Sequence, residues 1–194
     1  MKVQPISRKT IPDIITRRNL MQRTVLALGA VWLNSGVARG ESTTKGHIVS
    51  AADGPDWQMS PGRTMSYKLL SEHTGDAVAI FEETVPAGDG TPLHIHRTSD
   101  EVIHLMEGQL KVKLADDVTT VGPGAWIFIP RGVTHGWRNT GTIPARASFT
   151  FTPADGGKLF EQFRLLGPLT PENLVKAGPL MKRYGFELVA RTWD

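Results

Sequence analysis

The 194-residue sequence predicts an all-β fold, an antiparallel sandwich or barrel of the jelly-roll kind with short helices at its C-terminal end. Three observations predict it. Between about Gly62 and Ala154 the chain falls into eight or so short apolar runs separated by Gly, Pro, Asp and Asn turns. Several runs alternate with period two, which is the signature of a strand with one buried face. After Ala154 the period changes, and Leu159, Phe160, Phe163 and Leu166 recur at helical spacing.

Residues 1–40 read as a leader. Thr16-Arg17-Arg18-Asn19-Leu20-Met21-Gln22 precedes an apolar run from Thr24 to Leu33, and small residues follow up to Gly40. A cationic front, a short apolar middle and a small-residue end make a secretory signal, with cleavage expected after Ala38 or Gly40. The run is well short of the ~20 residues of a bilayer span. Paired arginines before Leu20-Met21-Gln22 resemble the twin-arginine export signal, which implies a periplasmic or secreted protein exported folded. The other readings are an uncleaved anchor and a buried amphipathic helix. Seven of the 22 basic residues lie in this leader against one of the 19 acidic ones, so the remainder is slightly acidic. The basic balance is therefore no sign of a nucleic-acid partner, and no membrane attachment is expected once the leader is removed. With no cysteine, disulfides, thiolate metal sites and cysteine nucleophiles are excluded.

Residues 41–61 are taken as an N-terminal extension and 62–154 as the barrel. Met65, Tyr67 and Leu69 face one way, and Ser66, Lys68 and Leu70 the other. Ala77 to Val85 is stopped by Pro86-Ala87-Gly88. His94-Ile95-His96 is a short strand, Val102 to Met106 another, and Leu110 to Leu114 alternates with its lysines outward. Ala125 to Ile129, His135 to Asn139 and Ala147 to Phe151 complete the set. Residues 155–194 are read as helical and packed outside the barrel or at its mouth. Asp155 is the expected cap of the first helix, and Thr170-Pro171 starts the second, with Leu174 and Val175 on its apolar face and Gly178-Pro179 breaking or kinking it.

The chemistry concentrates between Gly88 and Asn139. His94 and His96 are two apart, so on a strand both imidazoles leave the same face while Ile95 points away. Glu101 follows a turn-prone Arg97-Thr98-Ser99-Asp100 and starts the next strand within reach of the same ion. His135 arrives from a distant strand after Pro130-Arg131-Gly132. Three imidazoles and a carboxylate suit one divalent first-row transition metal, whether iron, manganese, nickel, cobalt, copper or zinc.

Two segments carry a resemblance. The first is Gly88, five residues, His94-x-His96, four residues, Glu101, six residues, Gly108. The second is Gly124, five residues, Pro130-x-Gly132, two residues, His135, three residues, Asn139. Together they resemble the paired motifs of the cupin superfamily, with every signature position filled. The resemblance implies a cupin-type jelly-roll β-barrel in which His94, His96, Glu101 and His135 bind the metal. It implies a single-domain member acting on a small molecule and pairing as a homodimer. The nearest flavour is that of quercetinase-like dioxygenases, in which the matching glutamate serves as a base; Glu101 is thus a ligand and a candidate catalytic base.

Other residues divide by parity. Glu101, Ile103 and Leu105 face inward, which puts His104 outside. Trp137 and Asn139 share the parity of His135 and are candidates for the substrate pocket, with core packing the alternative for Trp137. Trp126 and Phe128 oppose Ile127 and Ile129, and either pair suits the core. His47 and His73 are expected to face solvent. Arg131 sits in the turn before His135 and either meets an anionic substrate or is simply exposed. Gly88, Gly108, Gly124 and Gly132 are turn glycines. Three functions suit these features: an exported metal-dependent dioxygenase acting on a phenolic or flavonol-like compound, a metal-dependent isomerase or lyase, and a non-enzymatic metal- or ligand-binding cupin.

Overall fold

Eleven strands and two helices make up the described part of the chain, residues 45–193 of a computed structural model. The leader at 1–40 lies outside the described residues. Among them, no helix is long and apolar enough to cross a membrane. In order the strands are β1 Asp56–Ser60, β2 Arg63–Leu69, β3 Ala79–Val85, β4 Leu93–His96, β5 Asp100–Glu107 and β6 Leu110–Leu114. They continue as β7 Asp117–Val121, β8 Trp126–Ile129, β9 His135–Arg138 and β10 Ala145–Thr152. Helices α1 Asp155–Leu166 and α2 Pro171–Arg183 follow, and β11 Phe186–Ala190 ends the series.

All pairings are antiparallel, and the strands form two sheets. Six strands run in the order β1-β2-β3-β10-β5-β8 and five in the order β11-β4-β9-β6-β7. The core lies between them. Met65, Tyr67, Phe81, Ile103, Leu105, Phe149 and Phe151 point in from the larger sheet, and Leu110, Val112 and Trp137 from the smaller. Each sits on the inward parity of its strand, so removing these side chains from water is what favours the two sheets facing each other. On β8 the inward pair is Ile127 and Ile129; Trp126 and Phe128 are 69% and 59% exposed. The four motif glycines all have φ between +80° and +87°, where a Cβ is strained.

The segment assigned as an N-terminal extension contains β1, whose Trp57 and Met59 are in the core. The segment assigned as helical ends in β11, which pairs with β4. The hairpin strand β7 falls in a stretch with no buried face, all but Val121 being exposed, so alternation carried no signal there. Ala154, not Asp155, occupies the cap of α1, and Asp155 lies in the first turn, where its charge suits the helix N-terminus. Thr170 does cap α2, its side chain accepting from Asn173 N at 3.3 Å. That helix continues through Gly178-Pro179. It packs through Ala177, Leu180 and Met181, while Val175 is 80% exposed.

Helix α1 is tied to the larger sheet. Tyr67 Oη donates to Phe160 O at 2.7 Å, and the backbone N and Oγ of Ser71 donate to Glu161 at 2.8 and 3.0 Å. Trp57 Nε1 donates to Gly167 O at 2.9 Å. These bonds hold α1 and the turn after it in place, and Phe160 and Phe163 of α1 line the cavity considered next.

Candidate metal centre and cavity

The four donor residues come from both sheets. His94 and His96 lie on β4 and His135 on β9, with His94 and His135 directly paired across the ladder. Glu101 comes from β5 in the other sheet, immediately after the chain crosses over at Arg97–Ser99. The crossover is pinned on both sides. Gly132 N donates to His96 O at 2.7 Å, and Arg131 donates from its backbone and guanidinium to Asp100 at 2.9 to 3.0 Å. Arg131 is thereby engaged with its neighbour in the fold.

All four donors are buried, and their ligand atoms lie within 4.8 Å of one another. Nε2 of His94 is 3.2 Å from Nε2 of His96. Glu101 Oε2 is 3.0 Å from His135 Nε2 and 3.4 Å from His96 Nε2. Outside the cluster, His94 Nδ1 donates to Pro92 O at 2.9 Å and His135 Nδ1 to Val133 O at 3.0 Å. A carbonyl oxygen only accepts, so these Nδ1 atoms carry the proton, and each ring in its neutral form turns a bare Nε2 inward. Burial, followed by the charges of His135 and His96, pushes the His94 pKa down to about 3, which keeps it neutral.

Burial alone would raise the Glu101 pKa, but hydrogen bonds from His135 and His96 outweigh it and hold the carboxyl well below the usual range. Burial likewise opposes a second proton on His135, yet the Glu101 carboxylate wins and the pKa is raised; in the ion-free site that proton lies on Nε2 facing Glu101, and a bound cation would displace it. Converging imidazole nitrogens and a carboxylate with no apolar filling between them form a donor set that fits a divalent cation.

A cavity of about 180 Å³ opens onto this cluster. Its apolar wall is largely aromatic, with Phe81, Trp137, Phe149, Phe160, Phe163 and Phe186, and is completed by Met59, Leu169, Leu174 and Met181. His94, His96 and Glu101 form its polar end. Trp137, 2% exposed, belongs both to this wall and to the core, with its ring 5.3 Å from that of Phe149.

Asn139 stands apart from the cavity. Its amide donates to Val85 O and Ile143 O at 3.0 and 2.8 Å, and its Oδ1 accepts from Gly141 N at 2.9 Å. Its shared parity with His135 is real, but its polar atoms are spent on holding the turn before β10. His104 lies outside, its ring stacked on Trp126 with centroids 4.0 Å apart. His47 and His73 stack on each other at 3.8 Å.

Three wall residues escaped the sequence reading. Arg63 and Glu83 are buried charges facing inward beside Met65 and Phe81, and a charge on the inward parity of an apolar strand was the available signal. Phe186 gave no such signal, since only long-range pairing brings β11 to the site.

Comparison with known proteins agrees with this geometry. Residues 81–151 match the family model described as Cupin domain. Germin-like protein 1 of Brassica napus is 30% identical over 136 residues, covering 68% of this chain and 61% of that protein. The tetracenomycin polyketide synthase protein TcmJ of Streptomyces glaucescens is 32% identical over 66 residues, 34% of this chain and 44% of that one. This chain therefore spans less than two thirds of either relative. Among solved structures, KdgF from a Halomonas species superposes with a TM-score of 0.51 at 16% identity, covering 56% of this chain and 94% of that one, a likeness of fold alone. Both motifs and all four donors fall within residues 81–151, the segment that matches the Cupin domain.

Proposed function

We propose that this protein is a metal-dependent dioxygenase acting on a small phenolic compound. One observation carries the reading: a largely aromatic cavity is lined by three of four converging metal donors, His94, His96 and Glu101. The three histidines and Glu101 would hold a first-row divalent cation, which when bound supplies a Lewis acid and, if redox-active, a centre for electron exchange with dioxygen. The aromatic wall orients a planar ring and excludes water. Glu101 Oε2 faces His135 and His96, and in this reading the other carboxylate oxygen takes a proton from the substrate.

Volume narrows the substrate. An apolar cavity of about 150 Å³ accepts benzene, so about 180 Å³ suits one substituted ring better than a three-ring flavonol. The likeness to a polyketide synthase protein supports a second reading, a non-oxidative role on a polyketide-type molecule. Oxygen uptake decides between them. Protein loaded in turn with iron, manganese, nickel, cobalt and copper is expected to consume one dioxygen per phenol with at least one metal, and with none of them when His135 is alanine. No uptake with any metal would leave the non-oxidative reading.

A further inference from the structure

The cavity has a second polar end that the donor cluster does not use. Arg63 on β2 and Glu83 on β3 are 8% and 3% exposed, and both line the cavity. Arg63 Nε donates to Glu83 Oε1, and Nη1 donates to Asp89 Oδ1 at 3.2 Å and Gly90 O at 2.8 Å. The guanidinium also lies 5.2 Å from the centre of the Trp137 ring, which fixes its plane. One cation thus answers two carboxylates, and burial pushes the Glu83 pKa up against the opposing pull of Arg63. Among the described residues, Glu83 Oε2 accepts no hydrogen bond. That oxygen is not fully enclosed by protein, so it stands at the cavity surface within reach of a ligand.

The strand ladder separates the two ends. On β10, Ala147 pairs with Glu83, and Phe151 pairs with Glu101. Phe149 lies between them and pairs with Phe81, their rings stacked with centroids 5.4 Å apart. An aromatic floor therefore runs from the donor cluster to Glu83.

We propose that Glu83, held by Arg63, is a specificity-determining residue that accepts a hydrogen bond from a neutral hydroxyl on an aromatic substrate lying over Phe81 and Phe149. This rests on the reading that the cavity takes a small phenolic molecule, and it adds which group is selected and by what. A ligand carboxylate is refused at this end because Arg63 is already neutralised by Glu83 and Asp89. A group that only accepts hydrogen bonds meets the Glu83 lone pair with nothing to offer it.

Calorimetric titration of the metal-loaded full-length protein with phenol, anisole and benzaldehyde tests this. The wild type is expected to bind phenol on the order of tenfold more tightly than either of the others, the scale of a hydrogen bond to a charged group. In Glu83→Gln the amide oxygen must turn to Arg63, which only donates, and the amide NH2 then faces the cavity. At equal metal content this variant is expected to prefer benzaldehyde to phenol. Should the variant fail to fold, Glu83→Asp, which keeps a carboxylate for Arg63 but draws it back from the cavity, is expected to lose most of the phenol preference, and an unchanged preference overturns the proposal. Equal binding of phenol and anisole, a wild-type preference for benzaldehyde, no binding of any probe, or a phenol preference surviving in folded Glu83→Gln each overturns the proposal. Phenol selectivity without oxygen uptake would sink the oxygenase reading and leave this one standing; oxygen uptake without selectivity would do the reverse.

Discussion

The ring of Phe186 lies flat on that of His94, with centroids 4.5 Å apart and planes 9° from parallel. Phe186 belongs to β11 and stands opposite His96 in the ladder with β4. The last strand of the chain thus covers the first motif histidines and forms part of the cavity wall. Its ring limits both the tilt of His94 and the access of water to the donors.

Replacing that ring is expected to loosen the metal without unfolding the barrel. Phe186→Ala should weaken metal affinity by about 10-fold or more, the range seen when groups supporting a ligand are removed. Competition against a chromophoric chelator measures it. Unchanged affinity would reduce Phe186 to a packing residue.

Removing a donor is expected to cost more. His96→Ala and His135→Ala should each lower metal affinity by at least about 100-fold while circular dichroism stays that of a β-barrel. His104→Ala should leave bound metal unchanged, since His104 stacks on Trp126 on the outer face. Elemental analysis of the three variants reads the outcome, and full occupancy in His135→Ala would defeat the assignment of the site.

The Arg63–Glu83 pair makes an energetic prediction separate from its role in recognition. Arg63→Met strands a buried carboxylate and should destabilise the fold by about 3–5 kcal/mol. Adding Glu83→Leu removes that stranded charge, so the double variant should be the more stable of the two. Urea denaturation of both variants checks the sign, and a double variant that unfolds earlier than the single one would contradict it.

Two motif-region glycines should behave differently on substitution. A Cβ at Gly90 would stand 2.2 Å from Trp137 O, a backbone atom held by the β9 ladder, whereas one at Gly124 meets nothing within 4 Å. Gly124→Ala carries only the strain of φ +87°, about 1–2 kcal/mol. Gly90→Ala must displace backbone and should cost more, shifting the loop that carries Arg63's acceptor. Thermal unfolding of the two variants compares them.

The amino-acid order by itself determined the strands between Arg63 and Thr152 apart from β7, the inward set Glu101, Ile103 and Leu105, and the grouping of His94, His96, Glu101 and His135. Each is a consequence of period-two geometry and short motif spacing, which are local and survive without knowing what a strand packs against. Parity put Trp137 and Asn139 on the same side as His135, and all three are buried. It could not tell that the asparagine's polar atoms would be taken up by Val85, Ile143 and Gly141. Only the tertiary structure decided that β1 and β11 join the sheets, that α1 and α2 lend side chains to the cavity, and that Arg63 answers Glu83 beside Trp137. Those outcomes depend on partners far apart in the chain, and a strand edge or a buried charge finds its partner through the closed barrel rather than through its neighbours in sequence.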